Sequence, residues 1–161
     1  MELDKEYLAM PSPCHCRIAT IDDLDSLVIL FDQYRQFYEC VSDQVAARAW
    51  LDTNLRLGRS VILVAETNAG IQGFTQLYPA LCSVDLVNYF VLYDLYVCDH
   101  ARRGGIGRSL MEAARHWATA QGAARIDLET ARSNIAGQQL YKGLGYQLDK
   151  VFLKFSLEIN A

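Results

Sequence analysis

The sequence has 161 residues, of which 52% are hydrophobic and 21% are charged, and its formal net charge is −4. This length and composition predict one globular domain with a substantial core and exclude a disordered chain. The acidic balance argues against a nucleic-acid partner held by electrostatics, and no apolar run is long enough to predict a membrane span. Five scattered cysteines, an odd number, indicate reduced thiols and a cytoplasmic location.

Residues 1–15 contain two prolines and show no clear period, so we treat them as an N-terminal arm. The arm lacks the apolar stretch of a signal peptide. We place a single domain over residues 16–161. Cys14, His15 and Cys16 could ligate a metal, but no second ligand cluster with suitable spacing follows, and we expect no metal site.

The first predicted elements are a strand over residues 16–19 and two helices. Thr20 and Asp23 resemble a capping box, and apolar residues follow at helical spacing as far as Tyr38. The second helix is predicted over residues 42–58, where the apolar stripe is less regular and a glycine marks the end.

A β-hairpin follows the two helices. Residues 60–66 and 71–78 are predicted antiparallel strands around a turn at residues 67–70. Residues 79–88 are predicted to form a loop. Residues 89–97 carry almost no polar side chain, which predicts a central strand buried on both faces.

The last predicted elements are a helix over residues 106–121, a strand over 125–130, a helix over 134–144 and a long final strand over 146–159. The order is therefore β-α-α-β-β-β-α-β-α-β, which indicates an α/β fold.

The glycine-rich turn at residues 99–107, between a strand and a helix, predicts an anion site. Free N–H groups at the helix N-terminus, the helix dipole and the neighbouring arginines all favour an anion such as a pyrophosphate. A P-loop would need Lys-Ser/Thr after its last glycine, but Arg108 and Ser109 stand there. A dinucleotide fingerprint would need a third glycine where Leu110 stands.

Arg102, Gly105 and Gly107 form the pattern Arg-x-x-Gly-x-Gly, which resembles the coenzyme A signature of the GNAT superfamily of N-acetyltransferases. A second similar block is Asn134-x-x-Gly137-x-x-Leu140-Tyr141-x-x-x-Gly145-Tyr146. The resemblance covers about residues 16–158. It implies the GNAT fold, a mixed sheet of about six to seven strands flanked by about four helices, and acetyl-CoA as cosubstrate.

The resemblance also implies a coenzyme site. The backbone of Leu95, Tyr96 and Val97 would pair with the pantetheine arm, and the Val97 N–H would stabilise the oxyanion. Asn134 and Tyr141 share one helix face, because seven residues make almost two turns, and would line the pantetheine and thioester. The pyrophosphate would lie on Arg102, Arg103, Gly104, Gly105, Ile106, Gly107 and Arg108.

Acetyl transfer to an amine needs a proton for the leaving thiolate and a base for the ammonium. Tyr141 is the natural donor, since a phenol has a pKa close to that of a thiol. Glu129 is one candidate base, by similarity to the ribosomal-protein alanine acetyltransferases. Asp94 is its rival, because a carboxylate in an apolar strand needs a partner or a raised pKa.

Residues 92–97 are also similar to a segment of polyamine acetyltransferases, but Tyr93 stands where that family has its first acid. Aromatic residues together with acids suit a cation with an apolar body. The candidate aromatic residues are Tyr34, Phe37, Tyr38, Tyr78, Tyr89 and Tyr93. Cys98 is expected to be a buried hydrophobe, because nothing in the sequence orients a histidine towards it.

We therefore predict an N-acetyltransferase that moves acetyl directly from acetyl-CoA to a primary amine of a small molecule. Two alternatives stay open: a protein lysine or N-terminal acetyltransferase, and a catalytically inactive acyl-CoA-binding module. A homodimer is common in this fold. We expect no nucleic-acid, membrane or metal partner.

Overall fold

The computed structural model describes residues 13–159. The chain divides into two compact units, of which one ends at Glu129 and the other begins at Thr130. Most of the predicted N-terminal arm, residues 1–12, lies outside the described residues.

In the described part of the chain, one mixed sheet has five strands in the order β1-β2-β3-β4-β5. Each strand is antiparallel to its neighbour except β5, which runs parallel to β4. The prediction of about six to seven strands was therefore wrong. The strands are β1 (His15–Ile18), β2 (Val61–Thr67), β3 (Gly70–Cys82), β4 (Val87–Val97) and β5 (Ile126–Leu128).

The predicted four helices are confirmed in the described residues: α1 (Leu24–Phe37), α2 (Gln44–Leu57), α3 (Ile106–Ala120) and α4 (Ile135–Gly143). Caps explain where α2 begins and ends. The Asp43 side chain accepts a hydrogen bond from the Ala46 amide, and Gly58 ends the helix with a left-handed φ of 59°. No described helix is long and apolar enough to cross a membrane.

Helices cover both faces of the sheet. Ile62, Val64 and Phe74 point to one face and belong to the main core cluster, which they form with α1 and α2. Leu63 and Ala65 alternate with them, point to the opposite face and are also buried. The helix α3 packs on this second face, as its contacts with β2, β3 and β4 require.

The predicted loop over residues 79–88 was wrong, because β3 continues to Cys82 and β4 already begins at Val87. Pro79 had indicated a loop. However, β2 pairs with β3 only as far as Leu77. By alternation, the backbone of Pro79 faces the edge of β3 that β2 no longer covers. A proline is tolerated there, since no ladder hydrogen bond needs its missing N–H.

The predicted strand over residues 146–159 was also wrong: the five-stranded sheet takes in no described residue after Leu128. The pattern of alternating apolar residues is present, and Leu153, Phe155 and Leu157 are exposed. Alternation places side chains on a common face, but a strand also needs a neighbour to satisfy its backbone hydrogen bonds.

Asp32 holds the connection between α1 and α2. Only 1% of the residue is exposed. Its carboxylate accepts hydrogen bonds from the Ser42 hydroxyl (2.6 Å), the Asp43 amide (2.8 Å) and the Gln36 side chain (3.0 Å). These donors lower the pKa of Asp32 below its ordinary value, and the Ser42 hydroxyl has the largest effect.

We predict that Asp32→Ala lowers the free energy of unfolding at pH 7 by about 3 kcal/mol, because it leaves buried hydrogen-bond donors without an acceptor. The stabilisation in the native protein is present above the ordinary carboxyl pKa and is lost as the pH falls through the lower folded pKa. Urea unfolding at several pH values measures both effects. Asp25→Ala, which removes an exposed carboxylate paired with Arg48, should cost less than about 1 kcal/mol. Equal losses in the two variants would contradict the anchoring role.

Candidate active site

A β-bulge in β4 shapes the candidate site. Gln76 pairs with Asp94, but the next residue of β3, Leu77, pairs with Leu92, so Tyr93 is the extra residue. Before the bulge, the Phe90 ring lies 4.8 Å from Trp117 of α3, which places even-numbered side chains on the α3 face. After the bulge, Asp94 lies on the α1/α2 face, next to its pairing partner Gln76. The strand is therefore not uniformly buried on both faces as predicted, and Tyr93 is 65% exposed.

The bulge also redirects the backbone. The Phe90 amide donates to Arg125 at the start of β5, whereas the Cys98 amide donates to Gln72 of β3. By alternation, Leu95 and Val97 therefore point their N–H and C=O groups away from β3. The strand β5 pairs with β4 only up to Leu92, so in the described ladder this edge of β4 is open beyond that point.

Asp94 is a buried carboxylate beside the bulge, with 5% of the residue exposed. Its Oδ2 accepts a 2.7 Å hydrogen bond from Gln76 Nε2. Burial raises the pKa of Asp94, although hydrogen bonds from Gln76 and Tyr34 oppose the rise. The Tyr34 hydroxyl also lies 3.3 Å from the Tyr93 carbonyl and donates to it, which holds the bulged peptide in place.

A chain of polar side chains fixes the orientation of Gln76, which is fully buried. Gln76 Oε1 accepts from Ser60 Oγ at 2.7 Å and from Asn54 Nδ2 at 3.5 Å. Because the oxygen is occupied, the amide nitrogen must face Asp94. Asn54 also donates to the Tyr78 hydroxyl at 3.2 Å.

Sequence reasoning missed Gln76, Asn54 and Ser60. A signal existed for two of them. Gln76 interrupts an apolar strand segment, and Asn54 occupies an inward position in the helical stripe of α2. Polar residues at core positions need fixed partners, and that requirement could have drawn attention to them.

Glu129, the other candidate base, is exposed and directly follows β5. Leu92 and Leu128 form the last pair of the parallel ladder, so Tyr93 and Glu129 are the residues at which the two strands separate. The backbone thus brings Glu129 to the same place along the sheet as the bulge.

The predicted anion turn has the backbone geometry that such a site needs. Gly105 has a φ of 87° and begins α3 without a side-chain cap. The Ser109 amide closes the first helical turn on the Gly105 carbonyl at 3.0 Å. The amides of Ile106, Gly107 and Arg108 precede it in the first turn and have no intrahelical acceptor. Arg103 also adopts a left-handed φ of 63°, and such alternation forms an anion-binding concavity.

Arg102 is exposed, but its guanidinium bonds to neighbouring groups of the protein. Its Nε donates to the Val97 carbonyl at 2.9 Å, and its Nη2 pairs with Asp99 at 2.8 Å. The guanidinium lies 5.3 Å from the ring centre of Tyr96. It borders a cavity of about 430 Å³, which is lined by Gln33, Gln36, Phe37, Tyr96, Cys98, Asp99, His100 and Arg102.

His100 approaches Cys98, but it does not activate the thiol. The Gln72 side chain donates to the Ala69 carbonyl, so its Oε1 must face the pair. That oxygen accepts from Cys98 Sγ at 3.0 Å and lies 2.7 Å from His100 Nε2. An amide oxygen only accepts, so Nε2 carries a proton and cannot take one from sulfur. Burial raises the pKa of Cys98, which further disfavours a nucleophile.

In the second unit, Asn134 is the N-cap of α4 rather than part of the helix. Its Oδ1 accepts from the Gly137 amide at 3.1 Å, and its Nδ2 donates to Thr130 Oγ1 at 3.0 Å. A Cβ at residue 137 would lie 2.5 Å from Asn134 Nδ2, which explains the glycine there. Tyr141 lies within α4, and its ring centre is 6.1 Å from that of Tyr146.

In the described residues, no group of three or more His, Cys, Asp or Glu side chains could hold a metal ion. The first unit can instead hold an extended molecule along the open edge of β4, with an anionic end on the turn that follows.

Comparison with known proteins identifies the class. The family model described as the acetyltransferase (GNAT) family matches residues 27–146. The Bacillus subtilis (strain 168) protein described as an uncharacterized N-acetyltransferase, YhfO, is 40% identical over 145 residues, which are 90% of this chain and 97% of that protein. The chain belongs to the GNAT acetyltransferase family and is an acyltransferase, as predicted.

Two further similarities agree with this assignment. The D-amino-acid N-acetyltransferase HPA3 of Saccharomyces cerevisiae is 29% identical over 129 residues, which are 78% of this chain and 80% of that protein. A crystal structure of a probable acetyltransferase matches with a TM-score of 0.86 and 33% identity, over 91% of this chain and 99% of that one. Acetyltransferases of this family generally use acetyl-CoA.

We predict that Gln76→Met raises the pKa of Asp94 further, because the variant removes a donor that favours the charged carboxylate. The measurement is a ¹³C NMR titration of the Asp94 carboxyl carbon. Gln72→Met is the matched control, since it replaces a buried glutamine of the same strand that bonds to Cys98 and not to Asp94. An unchanged Asp94 titration in Gln76→Met would show that Gln76 does not set the charge of this group.

Proposed function

We propose that this acetyltransferase transfers acetyl from acetyl-CoA directly to a primary amine of a small molecule. The observation that carries the proposal is the open edge of β4. There the backbone groups of Leu95 and the N–H of Val97 face no further strand of the described ladder, and the N-terminus of α3 follows shortly along the chain. Amides of a pantetheine arm can pair with Leu95 and Val97 as a further strand would. The pyrophosphate then meets the amides of residues 106–108.

Arginine charges support the same placement of the coenzyme. Arg103 and Arg108 are exposed beside the turn, and within the described residues Arg108 makes a long 3.7 Å contact with Glu112. Arg102 is also proposed to bind the pyrophosphate. Its bonds to Val97 and Asp99 brace the turn against the end of β4, while its charge stays close to the site. Asn134 caps the start of α4, and it stays a proposed contact of the pantetheine arm.

The amine must lose a proton before it attacks the acetyl carbonyl carbon. We propose that Asp94 accepts this proton, because burial raises the pKa of the Asp94 carboxyl and so increases its affinity for a proton. Glu129 remains the second candidate base, since it follows β5 where the two strands separate. The amine nitrogen bonds to the carbonyl carbon, the carbon–sulfur bond breaks, and Tyr141 gives its phenolic proton to the thiolate. The nitrogen then loses its second proton, which restores the Tyr141 phenol.

A protein lysine or N-terminal amine is the second candidate acceptor. The turn between β3 and β4 spans only residues 83–86, so no long loop limits access from that hairpin. The burial of Asp94 beneath aromatic residues favours a small amine over a peptide. A thiol-release assay with amines, amino acids, aminoglycosides and peptides separates the two candidates, and coenzyme binding without release would favour an inactive module.

We predict that Gly105→Val weakens acetyl-CoA binding at least about tenfold, because a β-branched residue is strained at positive φ and its side chain would crowd the amides of the turn. Isothermal titration calorimetry measures the Kd. Gly122→Val is the matched control, since Gly122 also has a positive φ, of 71°, but follows the opposite end of α3. Wild-type affinity in folded Gly105→Val would remove the coenzyme from this turn.

We predict that Tyr141→Phe lowers kcat at least about tenfold, because the leaving thiolate loses its proton donor. The Kd for acetyl-CoA should change less than about twofold, since only the transition state needs the proton. Steady-state thiol release and calorimetry measure the two quantities. Tyr146→Phe, which removes the neighbouring hydroxyl, should retain kcat. Equal turnover of Tyr141→Phe and the native enzyme would exclude this role for Tyr141.

A further inference from the structure

Three aromatic side chains lie together on the α1/α2 face beside Asp94, and we call them the aromatic wall: Trp50, Tyr78 and Tyr93. The rings of Tyr78 and Tyr93 meet edge to face with centres 6.0 Å apart. The Trp50 side chain lies beside the Tyr78 hydroxyl. The wall therefore spans from α2 across β3 to the bulge of β4.

The two ends of the wall are open to solvent. Trp50 is 53% exposed and Tyr93 is 65% exposed, while Tyr78 between them is partly buried. The Tyr93 ring is held in this position by the bulge, and the Tyr34 hydroxyl bonds to its carbonyl. Large rings held in place but left exposed offer apolar area to a ligand.

The charge beneath the wall defines the ligand further. Asp94 is linked to Tyr78 through Gln76 and Asn54, and each of these links is neutral. Among the described residues, the side chains that hydrogen-bond to Asp94 are Gln76 and Tyr34, which are neutral and do not balance a negative charge. A ligand ammonium can supply the missing charge, and aromatic faces also attract a cation.

We propose that the acceptor is a monoamine with an aromatic or branched apolar body and no carboxylate, whose ammonium lies at Asp94 and whose body packs on Trp50, Tyr78 and Tyr93. This inference rests on the proposed function and names its substrate class. A carboxylate next to the ammonium is disfavoured, because it would be brought close to the Asp94 carboxylate. The proposed acceptor thus differs in class from the D-amino acids in the name of the yeast relative.

Three amines test the proposal by changing one group at a time. 2-Phenylethylamine has the ammonium and the ring, ethylamine lacks the ring, and D-phenylalanine adds a carboxylate. We expect kcat/KM for 2-phenylethylamine to exceed that for each of the other two at least about tenfold. Comparable values for 2-phenylethylamine and ethylamine, or a higher value for D-phenylalanine, would overturn the proposal.

Variants of Tyr93 test whether the wall causes the preference. Tyr93→Ala should lower kcat/KM for 2-phenylethylamine about tenfold more than it lowers kcat/KM for ethylamine, because the lost apolar contact serves only the amine with a ring. Tyr93→Phe keeps the ring and should keep the preference. The turnover of ethylamine by each variant also reports that the protein is folded.

The outcomes distinguish this inference from the function on which it rests. Thiol release with every amine at similar kcat/KM, or a preference that survives in Tyr93→Ala, would overturn the acceptor class and leave the acetyl transfer intact. No thiol release with any amine or peptide would overturn the proposed function and the acceptor class together.

Discussion

One extra residue in β4 determines how the site is built. After the bulge at Tyr93, side chains and backbone groups exchange the directions that a regular strand would give them. Without it, Asp94 would follow Leu92 onto the α3 face, among buried apolar residues such as Leu110. Leu95 would also turn its backbone towards β3. The buried carboxylate and the open strand edge are thus two consequences of one local irregularity.

Two buried carboxylates in the first unit show how differently a protein can treat the same group. Asp32 accepts hydrogen bonds from three donors, which lower its pKa, so its charge stabilises the folded state at neutral pH. Asp94 has two neutral partners, and burial prevails and raises its pKa. Its contribution to stability therefore falls as the pH rises from the ordinary carboxyl pKa to the folded one. A carboxylate kept at such a cost is typical of a functional site.

The helices and the first hairpin could be predicted because their apolar residues follow one period and glycines mark their ends. The bulge could not. Residues 89–97 are apolar at nearly every position, so similar side chains are buried whether the odd-numbered or the even-numbered residues face a given side of the sheet. The register is decided by the pairing of this strand with Gln76 and Leu77 of β3. The glycine turn was easier to recognise, since the left-handed φ of Gly105 depends on the residue itself.

Sequence spacing predicts the face of a helix or strand on which a side chain lies, but it does not predict the group that the residue contacts. Spacing places Asn134 on the same helix face as Tyr141, but it does not show that the Asn134 oxygen accepts a hydrogen bond from the Gly137 amide. Residues 151–159 alternate as a strand would, but the described sheet offers them no pairing. The opposite holds at the edge of β4. Leu95 and Val97 lie in a strand, but beyond Leu92 the backbone groups on that edge have no neighbouring strand in the described sheet. Backbone pairing alone can supply the contacts between such an edge and an extended molecule, so a site of this kind needs no side-chain motif.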